Sequence, residues 1–147
     1  MFFSGIDNLN KIALIESNGE TISYQQLKQK VFDFSSLFTE KHLIFIIGDN
    51  DLETVVCYLS AIEYGVVPIL LGSRVSQNHL NDLIIIYKPK YIFQKVDISP
   101  YKDFNRTSKY YGYSFFIKKQ HEVIRLHPDL ALLLTTSGST GSPKLVK

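Results

Sequence analysis

The sequence predicts an α/β fold: a mostly parallel sheet with flanking helices. Three observations predict it. Strand-like and helix-like segments alternate along the chain, two apolar runs (43–47 and 66–71) are short enough for strands buried on both faces, and helix-capping residues stand between them.

The elements follow in order. Ile12–Ile15 reads as a short strand, Asn18-Gly19 as a turn, and Thr21–Ser23 as the returning strand. Ser23 with Gln26 forms a capping box, after which Leu27, Val31, Phe34 and Phe38 recur at helical spacing. The run 43–47 is the first strand of the main sheet. Asn50 with Glu53 offers a second capping box, behind which Leu52, Val55, Val56, Leu59 and Ile62 line one helix face, ended by Gly65. In the run 66–71, Pro68 predicts an edge or a bend, because proline cannot donate to a ladder. Leu80, Leu83, Ile84 and Tyr87 mark a third helix, stopped by Lys88-Pro89-Lys90, and Tyr91-Ile92-Phe93 returns to strand. The pattern weakens over 95–125. Residues 110–117 are aromatic and β-prone without a definite place, and 130–135 reads as a strand again.

Composition narrows the class. The 147 residues make one domain, with 45% hydrophobic and 20% charged residues, a soluble globular profile. A formal charge of +2 is too small to imply a nucleic-acid partner. Tyr110, Tyr111, Tyr113, Phe115 and Phe116 therefore read as sheet core before a base-stacking platform. The single cysteine, Cys57, cannot form an internal disulfide, and it sits beside an apolar helix face as an inert thiol. His42, His79, His121 and His127 lack metal-ligand spacing. No apolar run approaches the roughly 20 residues of a membrane span. The first residues lack a basic leader, so the cytoplasm is the expected location.

The chemistry lies in the segment that follows residue 135. Thr136, Ser137, Gly138, Ser139, Thr140, Gly141, Ser142, Pro143 and Lys144 carry five hydroxyl side chains, two glycines and a closing lysine. Glycines let backbone N–H groups turn inward toward a phosphate. Hydroxyls add donors or reach a phosphate-bound Mg²⁺, and the lysine supplies a compact positive charge. A strand feeding such a loop is a candidate polyphosphate cradle. Its spacing is neither that of the common nucleotide P-loop nor that of a dinucleotide fingerprint.

Residues 136–144 resemble the T-S-G-[ST]-T-G-x-P-K-G signature of the adenylate-forming (AMP-binding) superfamily. That superfamily includes acyl-CoA synthetases, peptide-synthetase adenylation domains and luciferases. Every fixed position through Lys144 matches, and Leu145 departs where glycine is usual. Ile22-Ser23-Tyr24-Gln25-Gln26-Leu27 is similar to the family's [TS]-Y-x-E-L step, with Gln26 replacing the common glutamate. Asn50, Glu53, Gly65 and Pro68 follow its N-x-x-E…A-G…P-L order, with Tyr64 in place of alanine, and Lys88-Pro89-Lys90-Tyr91-Ile92 echoes a P-K step into a strand. Only 95–125 lacks a counterpart.

The resemblance implies a ligase that uses Mg·ATP to turn a carboxylic acid into an acyl-adenylate. A thiol, coenzyme A or a carrier-protein arm, then takes the acyl group. Thr136, Ser137, Gly138, Ser139, Thr140, Gly141 and Lys144 would hold the ATP phosphates, with Thr140 toward the metal. Residues 145–147 would begin a return strand. It further implies that residues 1–147 are the N-terminal part of an AMP-binding domain, truncated after the phosphate loop. The remaining motifs, the catalytic lysine included, would come later. Such a piece would be inactive alone and would pair through its open edge into a homodimer. Two alternatives stand beside this reading: a non-catalytic α/β interaction module with a relic loop, and an amino-acid-activating adenylation domain.

Overall fold

A computed structural model describes residues 3–95, 103–120, 125–135 and 145–146. The chain begins with a two-stranded antiparallel sheet, β1 (Ile12–Ile15) and β2 (Thr21–Ser23). Gly19, at φ 88°, turns the hairpin, and Asn18 Oδ1 accepts from the Glu20 N–H at 2.9 Å. Helix α1 (Tyr24–Ser35) starts at the expected capping box. Ser23 Oγ accepts from the Gln26 N–H at 3.2 Å, and Gln26 Oε1 accepts from the Ser23 N–H at 2.8 Å. Together they satisfy donors that a helix start would otherwise leave without a partner.

The main sheet comprises β3 (Leu43–Gly48), β4 (Val67–Gly72), β5 (Tyr91–Lys95), β6 (Phe104–Tyr110), β7 (Tyr113–Lys118), β8 (Leu133–Thr135) and β9 (Leu145–Val146). Its order is β6-β7-β5-β3-β4-β8-β9. Strands β5, β3, β4 and β8 are mutually parallel, while β7, β6 and β9 add antiparallel margins. Helix α2 (Leu52–Tyr64) connects β3 to β4, and α3 (Gln77–Tyr87) connects β4 to β5. The expected parallel centre is present, and the antiparallel margins make the whole sheet mixed.

Alternation along β3 sends side chains into two cores. Ile44 and Ile46 join α1 and α2 residues on one face; Leu43, Phe45 and Ile47 join Leu80 and Leu83 of α3 on the other. All five are at most 4% exposed, which is why this run carries no polar residue at all. On the α1 face Phe34 is an aromatic hub. Its ring meets Phe93 (5.2 Å), Tyr110 (5.1 Å) and Phe115 (5.8 Å) edge-on, close to perpendicular. Such contacts add to plain burial. Cys57 is fully buried in the same core, and burial pushes its thiol well above the usual value.

Tertiary context corrects three sequence expectations and places one segment that the sequence left open. The α2 cap is Asp51, not Asn50: Asp51 Oδ1 accepts from the Thr54 N–H at 3.1 Å. Pro68 lies in an interior strand. Val67 donates to His42 O at 2.8 Å on the β3 side, so an N–H at 68 would point toward β8, whose pairing begins only at Ile69. The segment 104–118 is a hairpin, β6–β7, turned by Tyr111 (φ 44°) and Gly112 (φ 83°). Strand β8 starts at Leu133, because residues 127–130 form a turn closed by Leu130 N–H to His127 O at 3.0 Å. The aromatics divide as expected of sheet residues: Tyr113, Phe115 and Phe116 are buried, whereas Tyr111 at the turn is 72% exposed. No helix of the described residues is long and apolar enough to cross a membrane.

Phe34→Ala removes the ring on which four other rings converge, and it is expected to destabilise the chain by about 3–5 kcal/mol. The midpoint of urea unfolding followed by circular dichroism measures this. A loss below about 1 kcal/mol would show that the aromatic cluster relaxes around the void.

Candidate functional site

In open α/β sheets, ligands bind outside the carboxyl ends of the parallel strands, near the point where successive connections depart to opposite faces. Here that point lies between β3 and β4. The chain leaves β3 for α2 on one face and leaves β4 for α3 on the other. The carboxyl ends of β3, β4, β5 and β8 all present to this one edge.

The candidate residues Thr136, Ser137, Gly138, Ser139, Thr140, Gly141 and Lys144 lie outside the described residues. Their flanks are described. Leu134 pairs with Val146 and Thr135 with Leu145, antiparallel, so residues 136–144 connect two hydrogen-bonded strands. Strand β8 runs parallel to β4, with Ile69 opposite Leu133 and Leu70 opposite Leu134. The connection therefore leaves from the carboxyl edge, one strand beyond the β3–β4 crevice. The expected return strand after Lys144 is present as β9.

A polar network that the sequence did not reveal ties the strand ends along this edge. Asp49 follows β3 and receives hydrogen bonds from the Ser73 hydroxyl beyond β4 and from Lys95 Nζ at the end of β5, the latter at 2.5 Å. Lys95 also lies 3.8 Å from Asp51 Oδ2. The Tyr113 hydroxyl of β7 donates to Asp51 Oδ2 at 2.7 Å and stands 3.3 Å from Thr54 Oγ1. Lys95 lies 5.6 Å above the Tyr113 ring, within cation–π range. Gly48 makes room for this junction, since a Cβ there would collide with Thr54 Oγ1 and come within 2.9 Å of the Tyr113 hydroxyl. Four strands are thus tied at their ends by side chains up to 62 residues apart in sequence, a distance at which no local pattern signals the contact.

The electrostatics follow from these contacts. Hydrogen bonds from Lys95 and then Ser73 hold the Asp49 carboxyl below the usual aspartate value. The Asp49 carboxylate in turn raises Lys95. Burial raises the Tyr113 phenol, and its hydrogen bond to Asp51 adds to the rise. Asp49 and Lys95 are both about half exposed, so water screens the pair and its energetic weight is small. Among the described residues no cluster of three or more His, Cys, Asp or Glu side chains could hold a metal ion. His42 is instead a buried backbone acceptor: its Nδ1 takes the Leu43 N–H at 2.8 Å.

The chain is thus a mixed α/β protein whose parallel strands end on one edge, with a hydroxyl- and glycine-rich connection leaving that edge. A sequence model described as "AMP-binding enzyme" matches residues 7–147, and the chain belongs to that family. None of the curated proteins matches the chain. Among solved structures, apo MatB from Rhodopseudomonas palustris superposes with a TM-score of 0.71 at 18% identity, over 97% of this chain and 32% of that one. MenE from Bacillus subtilis, an O-succinylbenzoate coenzyme A synthetase in complex with AMP, gives 0.69 at 18% identity over 93% and 38%. The N-terminal subdomain of NpsA from Klebsiella oxytoca gives 0.55 at 15% identity over 61% and 25%. The chain spans between a quarter and two fifths of the length of these structures.

Removing the Lys95 ammonium takes away the main cause of the Asp49 depression. A depressed carboxyl stabilises the fold above the ordinary aspartate range, and that contribution is lost as pH falls through the depressed value. In Lys95→Met, Asp49 is expected to titrate higher, closer to an ordinary aspartate, as read by carbon-detected NMR of its carboxyl. An unchanged titration would mean that the ion pair is not formed in solution.

Proposed function

We propose that the chain supplies the pyrophosphate-gripping end of an ATP-dependent ligase that activates a carboxylic acid as an acyl-adenylate before thioester formation. The observation that carries this reading is the Thr136 to Lys144 segment, set between the paired strands β8 and β9 at the carboxyl edge of the parallel sheet. Family membership supports it. So do the AMP complex of MenE and an ATP-bound structure of MatB, both of which share the fold.

In this reading the hydroxyls of Thr136, Ser137, Ser139 and Thr140 and the N–H groups at Gly138 and Gly141 donate to the β- and γ-phosphates. Lys144 adds a charge-assisted contact. These donors match charge that accumulates on pyrophosphate as it leaves the α-phosphate, so they serve the transition state more than the ground state. Holding the phosphates also orients the α-phosphate for attack by the acid. The donor set, rich in hydroxyls and glycine N–H groups, fits an Mg²⁺-bound polyphosphate, and Thr140 is the proposed side-chain contact to the ion. Mg²⁺, when bound, screens the phosphate charge. The acyl acceptor is a thiol, on coenzyme A or on a carrier protein, and the sheet itself commits to neither.

Titration of this chain with pyrophosphate in a calorimeter tests the reading. Binding is expected with Kd on the order of 1 mM, comparable for ATP and pyrophosphate because the contacts are to phosphate alone. Lys144→Ala and Thr140→Ala are each expected to weaken it by about fivefold or more. Pyrophosphate binding that is indifferent to both substitutions, or absent at tens of millimolar, would contradict the proposal.

A further inference from the structure

A cleft of about 430 Å³ opens at the carboxyl edge, on the α1–α2 face of the sheet, between the β1–β2 hairpin and the start of α2. Its volume falls in the range of small-ligand pockets. Most of its surface is apolar: Leu14, Leu52, Val55, Tyr58 and Leu70 contribute aliphatic and aromatic surface. Leu14, Val55, Tyr58 and Leu70 remain only partly covered by the chain's own core. Beside them Ile15 is 70% exposed, so apolar surface continues out of the cleft along β1.

The rim has one sign of charge. Glu16, Asp49 and Asp51 all line the cleft. Asp49 and Asp51 share the ammonium of Lys95, and Arg74 acts more weakly on Asp49, but neither cation lines the cleft. Among the described residues Glu16 makes no ion pair. Glu53, in the first turn of α2, responds to the same field: its carboxyl is raised by burial first, and then by the charges of Asp51 and Glu16. Lys30 offsets that rise in part, from a position outside the cleft lining.

We propose that this cleft binds a small apolar cation, an aryl or alkyl group carrying one ammonium. The apolar body sits against Leu14, Leu52, Val55, Tyr58 and Leu70, and the ammonium sits at the Glu16 rim. An apolar acid of equal size would bring a carboxylate to a rim that already carries excess negative charge, so it is disfavoured. Tyr58 adds an aromatic surface that a cation can approach. The proposal uses none of residues 136–144 and is independent of phosphate binding there.

The test titrates the full chain with phenethylammonium, and separately with 3-phenylpropanoate, while amide shifts are followed by NMR. The ammonium probe is expected to shift amides of residues 14–17 and 51–55 saturably. The carboxylate probe is expected to bind about tenfold more weakly or not at all. Glu16→Gln, a change at a partly exposed site that leaves the remaining spectrum intact, is expected to weaken the ammonium probe about threefold to fivefold. Lys144→Ala is expected to leave it unchanged, which separates this proposal from the phosphate reading. Equal affinity for the two probes, no saturable shift, or indifference to Glu16→Gln would each overturn it.

Discussion

The burial of β3 on both faces is the constraint on which the remaining architecture depends. Residues 43–47 alternate between two separate cores, and the strand pairs with β4 on one side and β5 on the other. An unpaired polar side chain in that position would be costly, and the strand needs helices above and below. α1 and α2 cover one face and α3 the other, which forces the connections after β3 and β4 to depart in opposite directions. The crevice at the carboxyl edge follows from that divergence.

What occupies the edge then divides by strand. Across the ends of β7, β5, β3 and β4 the protein sets a chain of its own polar groups, from Ser73 through Asp49 and Lys95 to Asp51 and Tyr113, with a cleft left open beside Asp49 and Asp51. One strand further, β8 ends at Thr135 and β9 returns at Leu145, so the hydroxyl-rich connection leaves from the same carboxyl edge. The first crevice is tied by side chains, and the adjacent position carries the residues that resemble a phosphate cradle. The ties are largely exposed and individually weak, but together they join the ends of β3, β4, β5 and β7.

Much of this was legible in the sequence wherever the cause is local. Ser23 and Gln26 satisfy each other within one turn of α1, Gly65 adopts φ 69° where α2 must stop, and the run 43–47 announces a doubly buried strand. The readings that failed depended on partners far along the chain. Asn50 with Glu53 and Asp51 with Thr54 are equally good local caps; Asp51 is chosen where Tyr113, 62 residues later, holds its second oxygen. The β6–β7 hairpin turns on Tyr111 in the left-handed region, a conformation that tyrosine does not advertise as Asn-Gly does. Pro68 looked like an edge residue because its missing N–H matters only toward β8, a strand 65 residues away in sequence that is not yet paired at that level. Of the candidate site, the residue types and their order could be read directly. Their location at the carboxyl edge required the β4–β8 and β8–β9 pairings.

The central claim is that the sheet places the 136–144 connection at the carboxyl edge and that phosphate is held there. A map of amide shifts on addition of pyrophosphate, with the same chain and inorganic sulfate as a second anion, tests it most directly. The account predicts shifts concentrated at Thr135 and Leu145 and spreading to Gly72 and Ser73 at the adjoining end of β4, with the opposite edge at Lys41 and Lys90 unmoved. Shifts centred on Lys41 and Lys90, with Thr135 and Leu145 silent, would contradict it.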